Sequence, residues 1–469
     1  MDHQLKINSR IGWRYIDSEI TAFNCKNHQI VVWNETASLL WKALSKGLNF
    51  NKLIDLLINE YSSGRETVKR DVIVFLQEAA SMGFIEFGCK VEEYGDKDGG
   101  AEDGENVLLA IEMKAIKKLI PFAITFETTY DCNERCIHCY MDRNRSALSL
   151  IEIKRILNEI AAEGCLFVSF TGGEFFCRRD ALDIIKYASN LHFVIDILSN
   201  GTLINQNIAE MLAQHSVRRV QISLYGSTSE THDSVTCLPG SFRKTIRGIE
   251  FLIEAGVKVE IAFPLMGINF HERYAVKKFV ESLGCLMLPS PIITARNNGL
   301  QDTFFLRLSD EQLRDFLKDK ELSSLYAGRK PFQDHKFYLG FSSLLEAAPC
   351  YSGFNSCAIT PSGKVLPCNQ LLYDVGDLKK NNFSEVWRNS PQLKYLRNLT
   401  IGKLGKCSKC KLLAFCARCP GLAFLEGNGL LEPSPENCRI TMINYSLQMK
   451  GGENDEKEEI QSTVRQDEG

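Results

Sequence analysis

The chain has 469 residues, 44% of them hydrophobic and 24% charged, with a formal net charge of −3. That length predicts two or three domains with real cores, and the mixed charge excludes a bulk basic field for capturing nucleic acid. No apolar run is long enough to span a bilayer and the opening MDHQLKINSRIGW lacks a secretory pattern, so a cytoplasmic protein away from the membrane is expected.

Residues 1–90 read as one unit. HQIVVWN predicts a strand, and ETASLLWKALSKG, NFNKLIDLLINEYSSG and RETVKRDVIVFLQEAASMG predict three amphipathic helices, the last running into a short strand. Small strands with three helices suggest a winged-helix-like α+β module. Residues 91–112 begin acidic and Gly-rich, predicting a flexible linker, and 449–469 predict a disordered tail.

Between Phe122 and Pro289 strands alternate with helices. FAITFETT, CLFVSFTGGE, HFVIDILSNGT, VRRVQISLYG and VKVEIAFPLM predict strands, with helical patterns between them. This βα repeat implies a parallel sheet or barrel, whose chemistry belongs at the C-terminal ends of the strands. Those ends carry CNERCIHC, TGGE, SNGT, SLYG and PLM, which are expected to line one pocket.

There are seventeen cysteines. In a reducing compartment, clustered cysteines argue for metal or redox chemistry over disulfides. Cys132, Cys136 and Cys139 share one loop after the first barrel strand. Cys350, Cys357, Cys368, Cys407, Cys410, Cys416, Cys419 and Cys438 form a second field. Cys25, Cys89, Cys165, Cys177, Cys237 and Cys285 are isolated and read as small buried apolar residues.

A zinc site draws four ligands from paired knuckles, whereas the first loop offers three thiols. An iron–sulfur cube wants four thiolates, so three would leave one iron open to a substrate. The second field has too many thiols for one zinc, although Cys407 and Cys410 alone would suit it.

C-x3-C-x2-C on the first βα loop, followed by Tyr140, resembles the radical S-adenosylmethionine superfamily. The resemblance covers roughly residues 115–300. It implies a partial (β/α)6 TIM-type barrel over 113–330 and a [4Fe–4S] cluster on Cys132, Cys136 and Cys139 that binds S-adenosylmethionine. It also implies that Thr171, Gly172, Gly173 and Glu174 hold the methionine ammonium, and that Ser199, Asn200 and Ser223 touch the ribose or carboxylate. His138 would shield the cluster or lie exposed on the loop.

Cys350, Gly363, Cys368, Cys407, Cys410, Cys416, Cys419 and Cys438 resemble the SPASM extension, expected over 331–448. This implies two auxiliary [4Fe–4S] clusters. The inner one falls to Cys350, Cys368 and Cys419, with Cys357 as a fourth ligand or one iron open. The outer one falls to Cys407, Cys410, Cys416 and Cys438. The two-residue gap between Cys416 and Cys419 departs from the usual three.

The N-terminal unit lacks a basic recognition helix and resembles the PqqD-like precursor-recognition element. That implies a leader peptide adding as a strand near Gln29–Trp33, beside a helix at about Arg70–Met82. Together the three parts resemble sactipeptide maturases of the subtilosin type. They imply a Cys sulfur-to-carbon thioether in a precursor peptide, with electrons from a flavodoxin or ferredoxin. Carbon–carbon crosslinking, epimerisation, formylglycine formation and a non-catalytic iron–sulfur scaffold remain the alternatives. Tyr225 and Cys237, near the pocket mouth, read as buried structural residues.

Overall fold

The structure, a computed structural model, describes residues 5–86, 104–141, 147–327, 341–427 and 429–451. The N-terminal module runs β1 (Lys6–Ile7), β2 (Ile11–Ile16), β3 (Glu19–Asn24), β4 (Ile30–Trp33), α1 (Glu35–Ser45), α2 (Phe50–Tyr61), α3 (Arg65–Ser81) and β5 (Ile85–Glu86). β2, β3 and β4 form an antiparallel sheet with β4 at an edge, and β1 pairs with β5. Asn34 and Asn49 cap α1 and α2 through the amides of Ala37 and Lys52. Trp33, Trp41, Phe75 and Phe84 fill the space between sheet and helices, the two indoles 4.3 Å apart.

Most of the other face of this sheet is covered. Ile16, Phe23 and Cys25 pack against Phe122, Leu166, Phe167 and Val194 at the barrel floor, together with Ile111 and Ala115 of α4 (Gly104–Lys118). The linker expected over 91–112 therefore ends in a helix, because Val107, Leu108, Ile111 and Ala115 supply one apolar stripe. Residues 91–103, and the tail beyond 451, lie outside the described residues. Arg14 pins the contact, donating to the carbonyls of Cys165 at 2.6 Å and Leu191 at 2.7 Å, while Trp13 stacks on His192.

The barrel follows the expected βα order. β6 (Ala123–Thr129), α5 (Leu150–Ala162), β7 (Phe167–Gly172), α6 (Ala181–Asn190), β8 (Val194–Ser199), α7 (Gln206–Ala213) and β9 (Val217–Ser223) come first. Then come α8 (Ser229–Thr236), α9 (Ser241–Glu254), β10 (Val259–Pro264), α10 (Arg273–Ser282), β11 (Leu286–Ser290), α11 (Asp310–Lys318) and α12 (Lys320–Ala327). β6 to β11 are parallel neighbours, which makes the partial (β/α)6 barrel. Ile124, Phe126, Val168, Phe170, Ile195, Ile197, Val220 and Ile222 bury against the helices. Alternation then turns Glu127, Thr171 and Ser223 inward. Near the floor Asp196 takes both Arg218 and Arg219, and Arg219 reaches Glu260 at 2.6 Å.

The C-terminal region is not a separate layer. β12 (Ser356–Ile359) pairs parallel to β6, and β13 (Lys364–Leu366) and β14 (Gly376–Asp377) extend the same sheet. A barrel that stops at six strands leaves β6 as a bare edge, and β12 covers it. The last helix, Pro435–Gly451, packs on α11. Among the described residues no helix is long and apolar enough to cross a membrane.

Candidate functional site

The cysteine loop leaves β6 and is tied down on several sides. The amides of Gly173 and Glu174 donate to the carbonyls of Thr129 at 2.7 Å and Asp131 at 2.9 Å. Arg135 and Ile137 donate through their amides to Thr236 and Val235 at the end of α8. Arg296 donates to the carbonyl of Cys139 at 2.8 Å. Gly172 and Gly173 make the crossing possible. A Cβ on Gly172, whose φ is +136°, would sit 2.0 Å from the Thr129 oxygen, and one on Gly173 would sit 2.3 Å from that of Asp131.

The three thiols lie in one another's field. Burial pushes Cys136 far up, and Glu134, Cys139 and Cys132 add to the rise. Burial also holds Cys132 at about 11. Glu134, which the sequence reading missed, is buried, accepts from the Cys136 thiol at 3.4 Å, and is pushed up to about 7, chiefly by burial. His138 is neither free nor exposed: its ring lies 4.8 Å from Tyr225, and burial, followed by Arg296, lowers it to about 4.

Glu174 is fully buried and organises the next strand end. It accepts from Ser199 Oγ at 2.9 Å, the Asn200 amide at 2.7 Å and the Phe176 amide at 3.0 Å. Its pKa is raised by burial against those three bonds. The Asn200 side chain in turn donates to Asn133 Oδ1 at 2.9 Å and lies 3.9 Å from Cys132 Sγ. Asn200 and Glu174 thus meet the cysteine loop, Ser199 is tied to Glu174, and Thr171 pairs with Glu127 of β6. Ser223 ends β9, two strands from β7 in the sheet order, and bonds to Tyr225. Tyr225 is buried, whereas Cys237, expected to be buried, is exposed where α8 stops with φ +52°.

Tyr140 turns to Glu127 on β6, the register partner of Thr171. Its hydroxyl donates to Glu127 Oε1 at 3.4 Å, Tyr130 donates to Glu127 Oε2 at 3.0 Å, and Asn369 also reaches Tyr140. Burial pushes Glu127 up to about 7. This thread joins the residue after Cys139 to the residue after Cys368.

The second field divides into two groups. Cys368 is driven to about 12, first by burial and then by Cys350 and Cys419. Cys419 Sγ donates to Gln370 Oε1 at 3.5 Å. Cys407, Cys410, Cys416 and Cys438 form the other group: Cys438 feels the other three, and Cys407 feels Cys410 and Cys416. Cys357 belongs to neither. It sits opposite Ile124 in the β12–β6 register, buried in the sheet–helix core, where Cys165 and Arg397 are its charged neighbours. Alternation along β12 sends its thiol to the helix layer, away from Cys350, Cys368 and Cys419.

Of the isolated cysteines, Cys25 and Cys165 are buried as expected, Cys285 is half-buried, and Cys89 lies outside the described residues. Cys177 is half-buried, and its field reaches Cys132.

Every described cysteine is free of a disulfide. Among the described residues no three His, Cys, Asp or Glu side chains close around a point as one metal ion requires. A single tetrahedral zinc would draw thiolates to about 4 Å from one another, whereas cube ligands stand further apart. The donor set itself, soft cysteine thiols gathered in groups of three and four, suits an iron–sulfur cube.

Three family models match the chain: the radical SAM superfamily over 126–280, the SPASM iron–sulfur cluster-binding domain over 350–420, and coenzyme PQQ synthesis protein D over 21–85. The chain is a radical S-adenosylmethionine enzyme with SPASM and PqqD domains. Radical SAM and SPASM domains carry an S-adenosylmethionine-binding [4Fe–4S] cluster and auxiliary clusters.

Among its relatives is the AdoMet-dependent heme synthase of Methanosarcina barkeri, 26% identical over 67% of this chain and 95% of that protein. The subtilosin biosynthesis protein AlbA of Bacillus subtilis is 27% identical over 64% of this chain and 67% of its own. The mycofactocin maturase MftC of Mycobacterium tuberculosis is 28% identical over 67% and 82%. The fold is shared with Streptococcus suis SuiB bound to its precursor peptide SuiA, at TM-score 0.59 and 16% identity, covering 92% of this chain and 99% of that one.

Proposed function

We propose that this enzyme matures a ribosomally made precursor peptide by joining a Cys sulfur to a carbon of another residue. The observation that carries the peptide reading is the open edge of β4. Asn24 donates to the Gln29 carbonyl, which makes Ala22–Val31 and Ile20–Trp33 the hydrogen-bonded pairs of the β3–β4 ladder. The backbone groups of Ile30 and Val32 therefore point outward, with no strand beyond them among the described residues. Val32 on β4 and Val74 on α3 are exposed apolar residues on the two elements expected to receive the leader. An incoming leader strand would satisfy that edge. The relatives AlbA and MftC, a bacteriocin biosynthesis protein and a maturase by name, favour the same class.

In this reading Cys132, Cys136 and Cys139 hold the S-adenosylmethionine-binding cluster. Cys350, Cys368 and Cys419 hold the inner auxiliary cluster, with one iron left without a protein thiolate because Cys357 faces the core. Cys407, Cys410, Cys416 and Cys438 hold the outer one. When bound, the reduced cluster and S-adenosylmethionine supply an adenosyl radical that takes a carbon-bound hydrogen.

The chain's own residues position and seal the site. Gly172 and Gly173 let the cysteine loop cross close over the end of β7, which fixes that loop beside Glu174. Glu174 fixes Ser199 and Asn200 through the bonds it accepts. The apolar floor and the Asp196 ion network exclude water from below. Thioether closure takes one carbon-bound hydrogen and the thiol proton from the peptide and sends one electron to a cluster. Cys136 and Cys139 line a surface recess with Arg135, Arg296 and Phe305. This is where a flavodoxin or ferredoxin would deliver electrons. Thiol groups of this kind need a reducing compartment, which supports a cytoplasmic reading.

The test is co-expression, under low oxygen, with a Cys-containing peptide encoded beside the gene. Loss of two hydrogens per crosslink, with a matching loss of alkylatable thiols, is the expected result. The same loss with every thiol still free would replace the thioether by a carbon–carbon bond or another oxidation. An unchanged peptide, with no 5′-deoxyadenosine formed, would overturn the maturase reading.

A further inference from the structure

Arg418 lies between Cys416 of the outer group and Cys419 of the inner one. Its side chain is 9% exposed. Only one arm of the guanidinium is used by oxygen: Nη2 donates to the carbonyls of Leu430 at 2.5 Å and Glu432 at 2.8 Å. Nε and Nη1 are buried with no oxygen or nitrogen partner among the described residues. Two buried acids of the same region, Glu426 and Glu436, are taken up elsewhere. Arg307 and Arg439 bind Glu436, and Arg307 also binds Glu426 at 2.8 Å.

A buried guanidinium with two orphaned donors is costly to keep unless something accepts from them. The guanidinium lies in the field of the Cys407 thiol, whose rise on burial it opposes. Tying the 430–432 segment in place requires Nη2 alone, so it does not account for a buried fork whose other arms stay open. Thiolates that carry a cluster supply what is missing: negative charge and sulfur acceptors.

We propose that the open N–H groups of Arg418 are reserved for the sulfur ligands of the outer auxiliary cluster, and that Arg418 is the positioning residue that sets its reduction potential. This rests on the reading that Cys407, Cys410, Cys416 and Cys438 hold that cluster. An iron–sulfur centre gains one negative charge on reduction, and its potential follows net charge and hydrogen bonds to sulfur. A fixed cation with two donors favours the reduced form. Arg418 thus keeps the outer cluster able to accept an electron coming from the peptide side.

The test uses the full-length chain with Cys132→Ala, Cys136→Ala and Cys139→Ala, so that only auxiliary signals remain. Iron and sulfide are counted after anaerobic reconstitution, and a redox titration is followed by electron paramagnetic resonance. Adding Cys438→Ala should remove the outer signal. If it does not, the ligand assignment fails, and with it the ground for the proposal. Where Cys438→Ala does remove that signal, Arg418→Gln should keep the iron and shift that midpoint to more negative potential. Arg418→Lys, which keeps the charge but not the fork, should shift it less. Full iron with an unchanged midpoint in Arg418→Gln overturns the proposal. So does loss of the cluster in both variants, which would make Arg418 a structural tie.

Discussion

Gly173→Ala isolates the contact that holds the cysteine loop against β7. The φ of Gly173 is not in the positive range, so alanine brings no backbone strain, only volume. Its Cβ would stand 2.3 Å from the Asp131 oxygen and 2.8 Å from both the Asp131 carbonyl carbon and the Tyr130 oxygen. These are backbone atoms and cannot rotate away. The loop must retreat by about 1 Å, which costs roughly 1–3 kcal/mol as overpacking. The retreat also stretches the bonds from the Gly173 amide to Thr129 and from the Glu174 amide to Asp131, each worth about 1 kcal/mol. The sum is about 3–5 kcal/mol, applied one residue from Cys132. Iron and sulfide should fall toward the auxiliary content after anaerobic reconstitution, with 5′-deoxyadenosine formation lost in parallel. Gly256→Ala is the control. That glycine has φ +73° with nothing within 4 Å, so it should lose about 1 kcal/mol in thermal stability and no iron. Full iron and wild-type cleavage of S-adenosylmethionine in Gly173→Ala would refute the claim that this crossing shapes the site.

Arg14→Met should loosen the N-terminal module from the barrel. It strands the Cys165 and Leu191 carbonyls, held at 2.6 and 2.7 Å, at a cost of about 1–3 kcal/mol each, and amide exchange should rise over Leu191–Phe193. Val32→Pro removes one outward N–H from the β4 edge. Leader affinity, read by anisotropy of a labelled leader, should drop about tenfold, with leader-independent cleavage of S-adenosylmethionine unchanged. Cys357→Ala should cost about 1–2 kcal/mol of stability and leave iron and sulfide content intact. Loss of one cluster's iron would return Cys357 to the ligand set. Glu127 is raised from 4.5 to about 7 in the folded protein. Folding therefore binds a proton there, and stability falls as pH rises from about 4.5 to about 7, then stays flat. The drop is about 3 kcal/mol, and Glu127→Gln should abolish that part of the slope in denaturant titrations at several pH values.

The barrel was legible because each strand carries a short β-branched or aromatic run that ends in turn residues, and each intervening helix has its own apolar stripe. Cys132, Cys136 and Cys139 stood out by their spacing together with their place on the loop after the first barrel strand. β2 and β3 were not. IGWRYI and EITAFN are joined by Asp17 and Ser18, both at positive φ, a turn normally announced by Asn-Gly or Asp-Gly. α4 was lost because its stripe begins inside an acidic, Gly-rich stretch. Cys357 looked like a ligand because it falls between Cys350 and Cys368. Its strand pairing decides otherwise, and that pairing with β6 spans more than two hundred residues of chain. The roles of Glu127 and Glu134 depend on burial and on tyrosine or thiol partners, which no local pattern in the sequence displays.

That same long-range pairing bears on how the two cluster regions act together. β6 delivers Cys132, Cys136 and Cys139 from its C-terminal end, and β12 runs parallel beside it. The hairpin that follows β12 turns back antiparallel, with Leu366 opposite Ala358, so Cys368 returns toward the start of β12, and Asn369 beside it meets Tyr140. The separation between the radical site and the inner thiols is therefore set by adjacent, hydrogen-bonded strands of one sheet and not by a hinge between domains. The peptide-docking module is held to the opposite end of this sheet by Arg14 and the floor core. A leader on β4 and a core peptide at the cysteine loop must then span the barrel from floor to rim along its outside. This makes the length of the segment between leader and modified residue a property that the enzyme's geometry selects.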